Sequence, residues 1–422
     1  MKITDVRTAV VEANYDWTFI KVYTDEGVEG LGESFLAPGL TRIISDLKPL
    51  LVGEDPRNVD RLWAKMRWAA SGAGSMGGIV YNAISGIEAA LWDAVGKYHG
   101  VPVYQLLGGK YRDRVRIYAD CHAGESLEAL DSVMVARKPR WIEDSGEVAL
   151  ASEINSPVHG RAYGDADTDE VFTTQMYAEQ ARKAVAMGFT ALKFDLDVPT
   201  PYASDSHSGT LSHAEIKYMS SLVAAVREAV GDAVDIAFDC HWRYNTSDAQ
   251  RLAYELEPYG LMWLEDPVPP ENIAAMRRVT RSTRTPISSG ENYYLRYGFR
   301  EALETGGLDI IAPDIQKAGG LLEARKIADL ADTHYTAVAP HCIASPVGTL
   351  ASAHVCAAIA NFLALEWHGM SVPFWGEMVT GLDGPVIEDG YITVPDSPGI
   401  GVELNEEVAR RYAREGEPFF GE

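Results

Sequence analysis

Short apolar runs that end in a charged residue or a histidine recur through the C-terminal half of the chain: VDIAFD, LMWLED, TPISSGE, DIIAPD, YTAVAPH and NFLALE. The closing residues are Asp239, Glu265, Glu291, Asp314, His341 and Glu366, separated by 26, 26, 23, 27 and 25 positions. A period of that length holds one strand and one helix. Two further strand-like runs, RVRIYAD from Arg114 and FTALKFD, precede them, so eight strands can be counted to Glu366. Helical patterns fill the spaces. TTQMYAEQARKAVAMG stops on Gly188, SHAEIKYMSSLVAAVREAVG offers Ser212 as an N-cap, and LLEARKIADLADTH follows later. Strand–helix alternation predicts a parallel sheet, and eight units predict closure into a barrel whose strand ends share one mouth.

The first 110 residues follow a different pattern. KITDVRTAVVEA, TFIKVYTDEG and GVEGLGES alternate as strands, with DEG as a turn. Helical segments come next. In the longest, Ile84, Ile87, Leu91 and Val95 recur at steps of three and four, which predicts an amphipathic helix. Strands followed by helices suggest an α+β unit. Past residue 375 the alternation stops; strand-like YITVPD and a polar helix remain. The expected organisation is an N-terminal unit over 1–113, a barrel over 114–375 and a C-terminal segment over 376–422. Residues 122–170 and 197–211 interrupt the rhythm on the mouth side of the barrel, and they are expected to form a lid or specificity loops.

Candidate chemistry follows from the shared mouth. Asp239, Glu265 and Glu291 are three successive carboxylates, which suits a hard cation such as Mg²⁺. Residues two apart on a strand face one side, so Lys193 with Asp195, and Asp239 with His241, are expected to point inward. Removing a proton beside a carboxylate creates an enolate that a divalent cation stabilises. His or Lys can serve as the base. Asp314, on the strand next to His341, could fix the tautomer of that ring.

Composition narrows the class. The 422 residues include 61 acidic and 37 basic ones, a formal net charge of −24, which disfavours nucleic acid and anionic membranes as partners. Only 12 of the basic residues are Lys, and acid excess with few lysines suggests adaptation to high salt. No apolar stretch approaches the roughly 20 residues of a membrane span. With no signal-like start either, a cytoplasmic protein is expected. Cys121, Cys240, Cys342 and Cys356 show no CxxC spacing and are expected to be buried and inert.

Nearly the whole chain resembles the enolase superfamily, and within it the mandelate racemase-like subgroup. The resemblance is carried by GIEAALWDAVGKYHGVPVYQLLGGKYRDRV and then, in order, by LKFD, FDCH, WLEDP, SSGEN, PDIQKAGG, APHCIASPVG and ALEWHG. It implies a modified TIM barrel of (β/α)7β type, capped by an α+β domain built from the N-terminal region and the C-terminal tail. It implies Asp239, Glu265 and Glu291 as Mg²⁺ ligands, His341 with Asp314 as base dyad, and Glu366 as hydrogen-bond partner of the enolate oxygen. Lys193 matches the first lysine of the subgroup's KxK motif. Asp195 stands where the racemases carry the second, opposite-face lysine, and pairing with Lys193 is its simplest role. His241 resembles the general acid of sugar-acid dehydratases.

The reading is therefore a Mg²⁺-dependent hydro-lyase acting on a small-molecule aldonic or aldaric acid and giving a 2-keto-3-deoxy acid. Substrate contacts are expected from the cap around Asn14–Trp17 and Ala69–Gly78, and a homo-oligomer is expected. Two alternatives keep the fold: an epimerase or cycloisomerase working through the same enolate, and a non-enzymatic binding protein.

Overall fold

A computed structural model describes residues 1–74, 76–121, 129–130, 136–137, 141, 172–198, 200–202 and 208–421. Most of the proposed lid loop over 122–170 thus falls outside the described residues, as do 199 and 203–207 of the second loop and Ser75.

Three antiparallel strands open the chain: β1 (Ile3–Glu12), β2 (Asp16–Thr24) and β3 (Glu29–Ser34). Helices α1 (Leu40–Leu47), α2 (Val59–Ala69) and α3 (Ile79–His99) follow, then the short α4 (Val103–Leu106). Helix α3 lies so close to β3 that a Cβ on Gly32 would stand 2.3 Å from the Gly86 carbonyl oxygen. Only glycine permits that approach. The apolar stripe of α3 is buried as expected, but so are Asn82, Ser85, Glu88 and Asp93. The helix is enclosed between sheet and barrel, so its polar side is buried too.

The barrel is β4 (Arg114–Asp120), α5 (Thr174–Ala186), β5 (Ala191–Asp195), α6 (His213–Val230), β6 (Asp235–Asp239), α7 (Thr246–Leu256), β7 (Trp263–Glu265), α8 (Ile273–Thr280), β8 (Ile287–Ser289), α9 (Leu295–Thr305), β9 (Ile310–Ile311), α10 (Leu321–Asp332), β10 (Ala337–Val338), α11 (Pro346–Ala358) and β11 (Leu365–Trp367). Its strands are parallel, in the order β10-β9-β8-β7-β6-β5-β4-β11. A parallel bridge between Val338 and Phe362, with the Leu363 N–H donating to the Val338 carbonyl at 2.8 Å, joins the two ends. This is the (β/α)7β modified TIM barrel. The Ser212 cap forms, as a capping box with Glu215.

Alternation sorts the strand residues. Tyr118, Ala191, Ala237, Trp263, Ile310, Ala339 and Ala364 form one buried cluster. Their neighbours Phe194, Phe238 and Leu264 join the larger core with the surrounding helices. Phe194 stacks against Tyr177 at 5.3 Å and Phe238 at 5.9 Å. Burying each such ring contributes roughly 1.5–3 kcal/mol.

Two carboxylates dock the N-terminal unit on the barrel. Glu33, at the end of β3, accepts from the N–H groups of Ser345 (2.9 Å) and Gly348 (2.8 Å) at the start of α11. Glu88 of α3 accepts from the N–H groups of Leu321 (2.7 Å) and Leu322 (3.0 Å) at the start of α10. Each negative charge meets unpaired N–H groups and the positive end of a helix dipole. Burial still raises both carboxyls to about 7. The tail touches both units. Tyr391–Thr393 pairs antiparallel with β4, while the Phe420 N–H donates to the Thr8 carbonyl on β1 at 2.7 Å.

Candidate active site

Strand register brings the predicted residues level. Asp195 is paired with Asp239, Asp239 with Glu265, and Asp120 with Lys193. Glu291 follows Gly290, whose φ is 150° and whose added Cβ would lie 2.8 Å from the Ala312 nitrogen. A side chain there would push the Glu291 segment off β9.

Asp239, Glu265 and Glu291 are buried, and one carboxylate oxygen of each lies within 4.8 Å of the others. Opposite ligands of an octahedral Mg²⁺ stand ~4.2 Å apart, so three such oxygens can share one small cation. Glu265 Oε1 is buried with no hydrogen-bond partner among the described residues. Glu265 Oε2 accepts from the Trp263 indole N–H at 2.8 Å. Burial pushes the Glu265 carboxyl well above its ordinary value, and Asp239 and Glu366 add to the effect against Lys193. Burial likewise raises Asp266, with Glu291 and Asp239 adding to it. Carboxylates packed this closely carry more negative charge than one lysine offsets, and a divalent cation would supply the remainder. The donor set fits one.

Lys193 is buried at the centre of the cluster. Its Nζ stands 2.7 Å from Glu366 Oε1, 3.2 Å from Asp239 Oδ2, 3.5 Å from Glu265 Oε2 and 3.8 Å from Asp120 Oδ2. Burial disfavours its charge, yet these carboxylates raise the ammonium well above its ordinary value. Glu366 is held below the carboxylate range, because Lys193 and His341 outweigh the burial that opposes its charge.

Two histidines flank the carboxylates. His341 Nδ1 is 2.7 Å from Asp314 Oδ2, and its Nε2 is 3.2 Å from Glu291 Oε2 and 3.8 Å from Glu366 Oε2. Burial opposes protonation of this ring, but Glu291, Glu366 and Asp314 raise it to about 10. His241 Nδ1 is 2.9 Å from Asp197 Oδ1, and its Nε2 is 3.7 Å from Asp239 Oδ2. Burial acts against its charge, and Asp239, Asp197 and Asp195 raise it well above its ordinary value.

Strand alternation does not place His241. β6 ends at Asp239, and His241 and Trp242 have φ of 40° and 53°. The ring reaches the mouth through a left-handed turn, fixed by the His241 N–H donating to Asp239 Oδ1 at 2.8 Å. Asp195 groups with Asp197 and His241, their ligand atoms within 4.8 Å.

The cap reaches the site where expected around Asn14–Trp17. Asn14 Nδ2 donates to the His368 carbonyl at 2.8 Å and lies 3.0 Å from His368 Nδ1. Tyr15, Trp17 and Phe35 line a crevice with Asp314 and Ala344. Of the Ala69–Gly78 stretch, Gly77 packs against Tyr294, where an added Cβ would stand 2.8 Å from the ring.

Several site residues escaped the sequence reading. Asp120 closes β4 as Asp239 and Glu265 close β6 and β7, so that signal was available. Trp263, two before Glu265, could have been found by alternation. Asp197, His368 and Lys317 lie beyond strand ends, where periodicity gives no direction. Lys317 Nζ donates to Asn292 Oδ1 at 2.8 Å and sits 4.6 Å from the Phe35 ring centre. Burial lowers its ammonium from the ordinary value, against Glu291, Asp314 and Asp266. The four cysteines are free and buried. Burial also pushes the Cys240 and Cys342 thiols up, which leaves them poor nucleophiles.

Comparison with known proteins agrees with this geometry. The profile "Mandelate racemase / muconate lactonizing enzyme, N-terminal domain" matches residues 4–108, and "Enolase C-terminal domain-like" matches residues 176–408. A D-xylonate dehydratase of Haloferax volcanii is 44% identical over 422 residues, covering 100% of this chain and 91% of that protein. A D-galactonate dehydratase of Xanthomonas campestris is 31% identical, covering 99% of this chain and 96% of the relative. The crystal structure of a mandelate racemase/muconate lactonizing enzyme-like protein from Rubrobacter xylanophilus superposes with a TM-score of 0.88 at 43% identity, covering 100% of this chain and 99% of that one. Fold, strand-end carboxylates and full-length relatives agree that the chain belongs to the mandelate racemase/muconate lactonizing enzyme family of the enolase superfamily.

Proposed function

We propose that the protein eliminates water from an aldonic acid, with acids of the D-xylonate and D-galactonate class as the first candidates. The relatives named above are dehydratases of these two acids. The observation that carries the reading is the pair of histidines. Each has one ring nitrogen on an aspartate and the other facing the carboxylate cluster, His341 at Glu291 and His241 at Asp239. Elimination across two adjacent carbons needs one base and one acid about the same centre.

Asp239, Glu265 and Glu291 would hold a divalent cation, Mg²⁺ by the all-oxygen donor set, which when bound neutralises charge building on the substrate's carboxylate. His341, with Asp314 holding its Nδ1–H, accepts the C2 proton on Nε2 in its neutral form, which a cation held by Glu291 would favour by offsetting the charge that raises the ring. Lys193 contributes positive charge beside the developing enolate oxygen, with Glu366 holding its ammonium at 2.7 Å. His241 donates a proton from Nε2 to the departing 3-hydroxyl, which leaves as water. The resulting enol tautomerises to a 2-keto-3-deoxy acid. Lys193 is tied among four carboxylates and Asp195 replaces a second lysine, which supports loss of water over epimerisation. The same reading takes 1–113 and 376–422 as one cap over the barrel of 114–375, supported by the tail's bonds to β1.

The test is incubation with Mg²⁺ and a panel of pentonic and hexonic acids, scored for 2-keto acid. At least one should be converted, and His241→Asn should lose turnover. Conversion of none, or full turnover by that variant, would overturn the proposal.

A further inference from the structure

We infer that Asp197 is a positioning residue for the acid step, aiming His241 as Asp314 aims His341. This inference rests on the dehydration reading above. Asp197 is 1% exposed and lies two residues past the end of β5. Its Oδ1 is 2.9 Å from His241 Nδ1. A carboxylate only accepts, so the proton of this contact sits on Nδ1 and Nε2 is turned toward the substrate side, 3.7 Å from Asp239.

The contact is held from both ends. The Leu196 N–H donates to the Asp239 carbonyl at 2.7 Å, and the Tyr177 hydroxyl donates to the Asp195 carbonyl at 2.7 Å. These bonds fix the segment carrying Asp197. On the other side, the Cys240 N–H donates to the Glu265 carbonyl at 3.1 Å, and the His241 N–H donates to Asp239. His241 itself occupies a left-handed turn, a conformation that non-glycine residues adopt at a cost, so its placement is set by this surrounding frame. The site therefore carries two Asp–His pairs, one at each flank of the carboxylate cluster. The C3–O bond breaks as its electron pair leaves with oxygen and His241 Nε2 supplies the proton. The donating ring is the imidazolium, with Nδ1–H held by Asp197 and Nε2–H left for the departing oxygen; without Asp197 the ring would be free to rotate and would present that proton in only part of its states.

The experiment compares two substrates: the sugar acid the wild type dehydrates fastest in the panel, and its 3-deoxy-3-fluoro analogue. The analogue gives the same 2-keto-3-deoxy acid but expels fluoride, which needs little help from an acid. Asp197→Asn should lower kcat on the hydroxy acid ~10²-fold, within the range of general-acid effects, and on the fluoro acid at most ~3-fold. A misfolded fraction lowers both rates equally, so the ratio reads the acid step alone. Asp197→Ser repeats the measurement should the asparagine variant prove insoluble. Equal losses on the two substrates overturn the inference. So does calorimetry showing two Mg²⁺ equivalents for wild type and one for the variant, since Asp195, Asp197 and His241 would then be ligands. His241→Asn is the reference. Selective loss there without selective loss in the Asp197 variants defeats this inference alone, whereas equal losses in His241→Asn defeat the parent reading and this inference with it.

Discussion

Trp263 donates its indole N–H to Glu265 Oε2 at 2.8 Å, two residues along the same strand and inside the barrel. The bond fixes the carboxylate whose other oxygen has no protein partner among the described residues. Partners of this kind orient metal ligands, and losing one typically weakens metal affinity about 10- to 100-fold. Trp263→Phe should therefore raise the Kd for Mg²⁺ by about tenfold in calorimetric titration, with kcat largely recovered at saturating Mg²⁺. An unchanged Kd would mean that the bond does not hold the ligand.

Asp314 should matter through the tautomer of His341. Asparagine at 314 can donate to Nδ1, which places the ring proton on Nε2 and blocks it as a base. Asp314→Asn should cut kcat by ~10⁴-fold, as expected for a base held in the wrong tautomer. Exchange of the C2 proton with D₂O should vanish with it, while substrate still binds. Retained exchange at the wild-type rate would assign proton removal to another group.

These residues also mark the reach of sequence reasoning. Asp239 and Glu265 were legible because each closes a strand, and Glu366 because it lies within the last one; strand ends in a parallel barrel meet by topology. Asp314 and His341 lie three residues past β9 and β10 and were legible from the spacing of the repeat; their 2.7 Å contact follows from adjacent strands. Asp197 was not legible, because it lies where the chain has left the two-residue period and only the fold decides its direction. His241 was placed correctly by an argument that does not apply to it, since a left-handed turn and not alternation brings it to the mouth. Glu33 and Glu88 were hidden for a third reason. Their partners lie 312 and 233 residues away, and nothing local distinguishes a buried docking carboxylate from an exposed one.

His354 should make the fold acid-sensitive. It is fully buried, with Nδ1 accepting from the Tyr104 N–H at 3.2 Å and Nε2 3.1 Å from the Ile400 carbonyl. That arrangement suits the neutral ring, because a second proton would face an N–H. Burial lowers its pKa from 6.5 to about 4, against the Ile400 carbonyl and Asp396. The unfolded chain binds the proton first, so stability contributed by neutral His354 is present above pH 6.5 and is lost as pH falls toward 4. The full loss is about 3 kcal/mol. Glu33 and Glu88, raised to about 7, act in the opposite sense, their folded-state preference for the proton adding stability as pH falls from 7 to 4.5. The effect of His354 is therefore read as a difference. The stability gap between wild type and His354→Gln, from urea unfolding, should narrow steadily between pH 7 and pH 4. A gap independent of pH would show that the ring does not titrate as its contacts require.

Salt should stabilise this protein more than it does an ordinary domain. The formal charge of −24 arises from 61 acidic and 37 basic residues, and self-repulsion of that size opposes the compact state. The screening length shrinks from about 30 Å at 0.01 M salt to about 3 Å at 1 M, so the repulsion fades across that range. Screening also weakens surface ion pairs such as Arg42–Asp46 and Arg300–Glu304, but exposed pairs of this kind contribute at most about 1 kcal/mol each. The net effect should favour the folded state. A gain of about 2 kcal/mol would move Tm up by roughly 2 °C for a protein of this size, and KCl is the salt to use because its ions are not strongly excluded from protein surfaces. Melting followed from 0.01 to 2 M KCl should show that rise, with most of it complete by 1 M, whereas sucrose at matched osmolality should not reproduce the early steep part. A Tm that stays constant across the KCl series would remove the high-salt interpretation and leave the acidity as a matter of solubility.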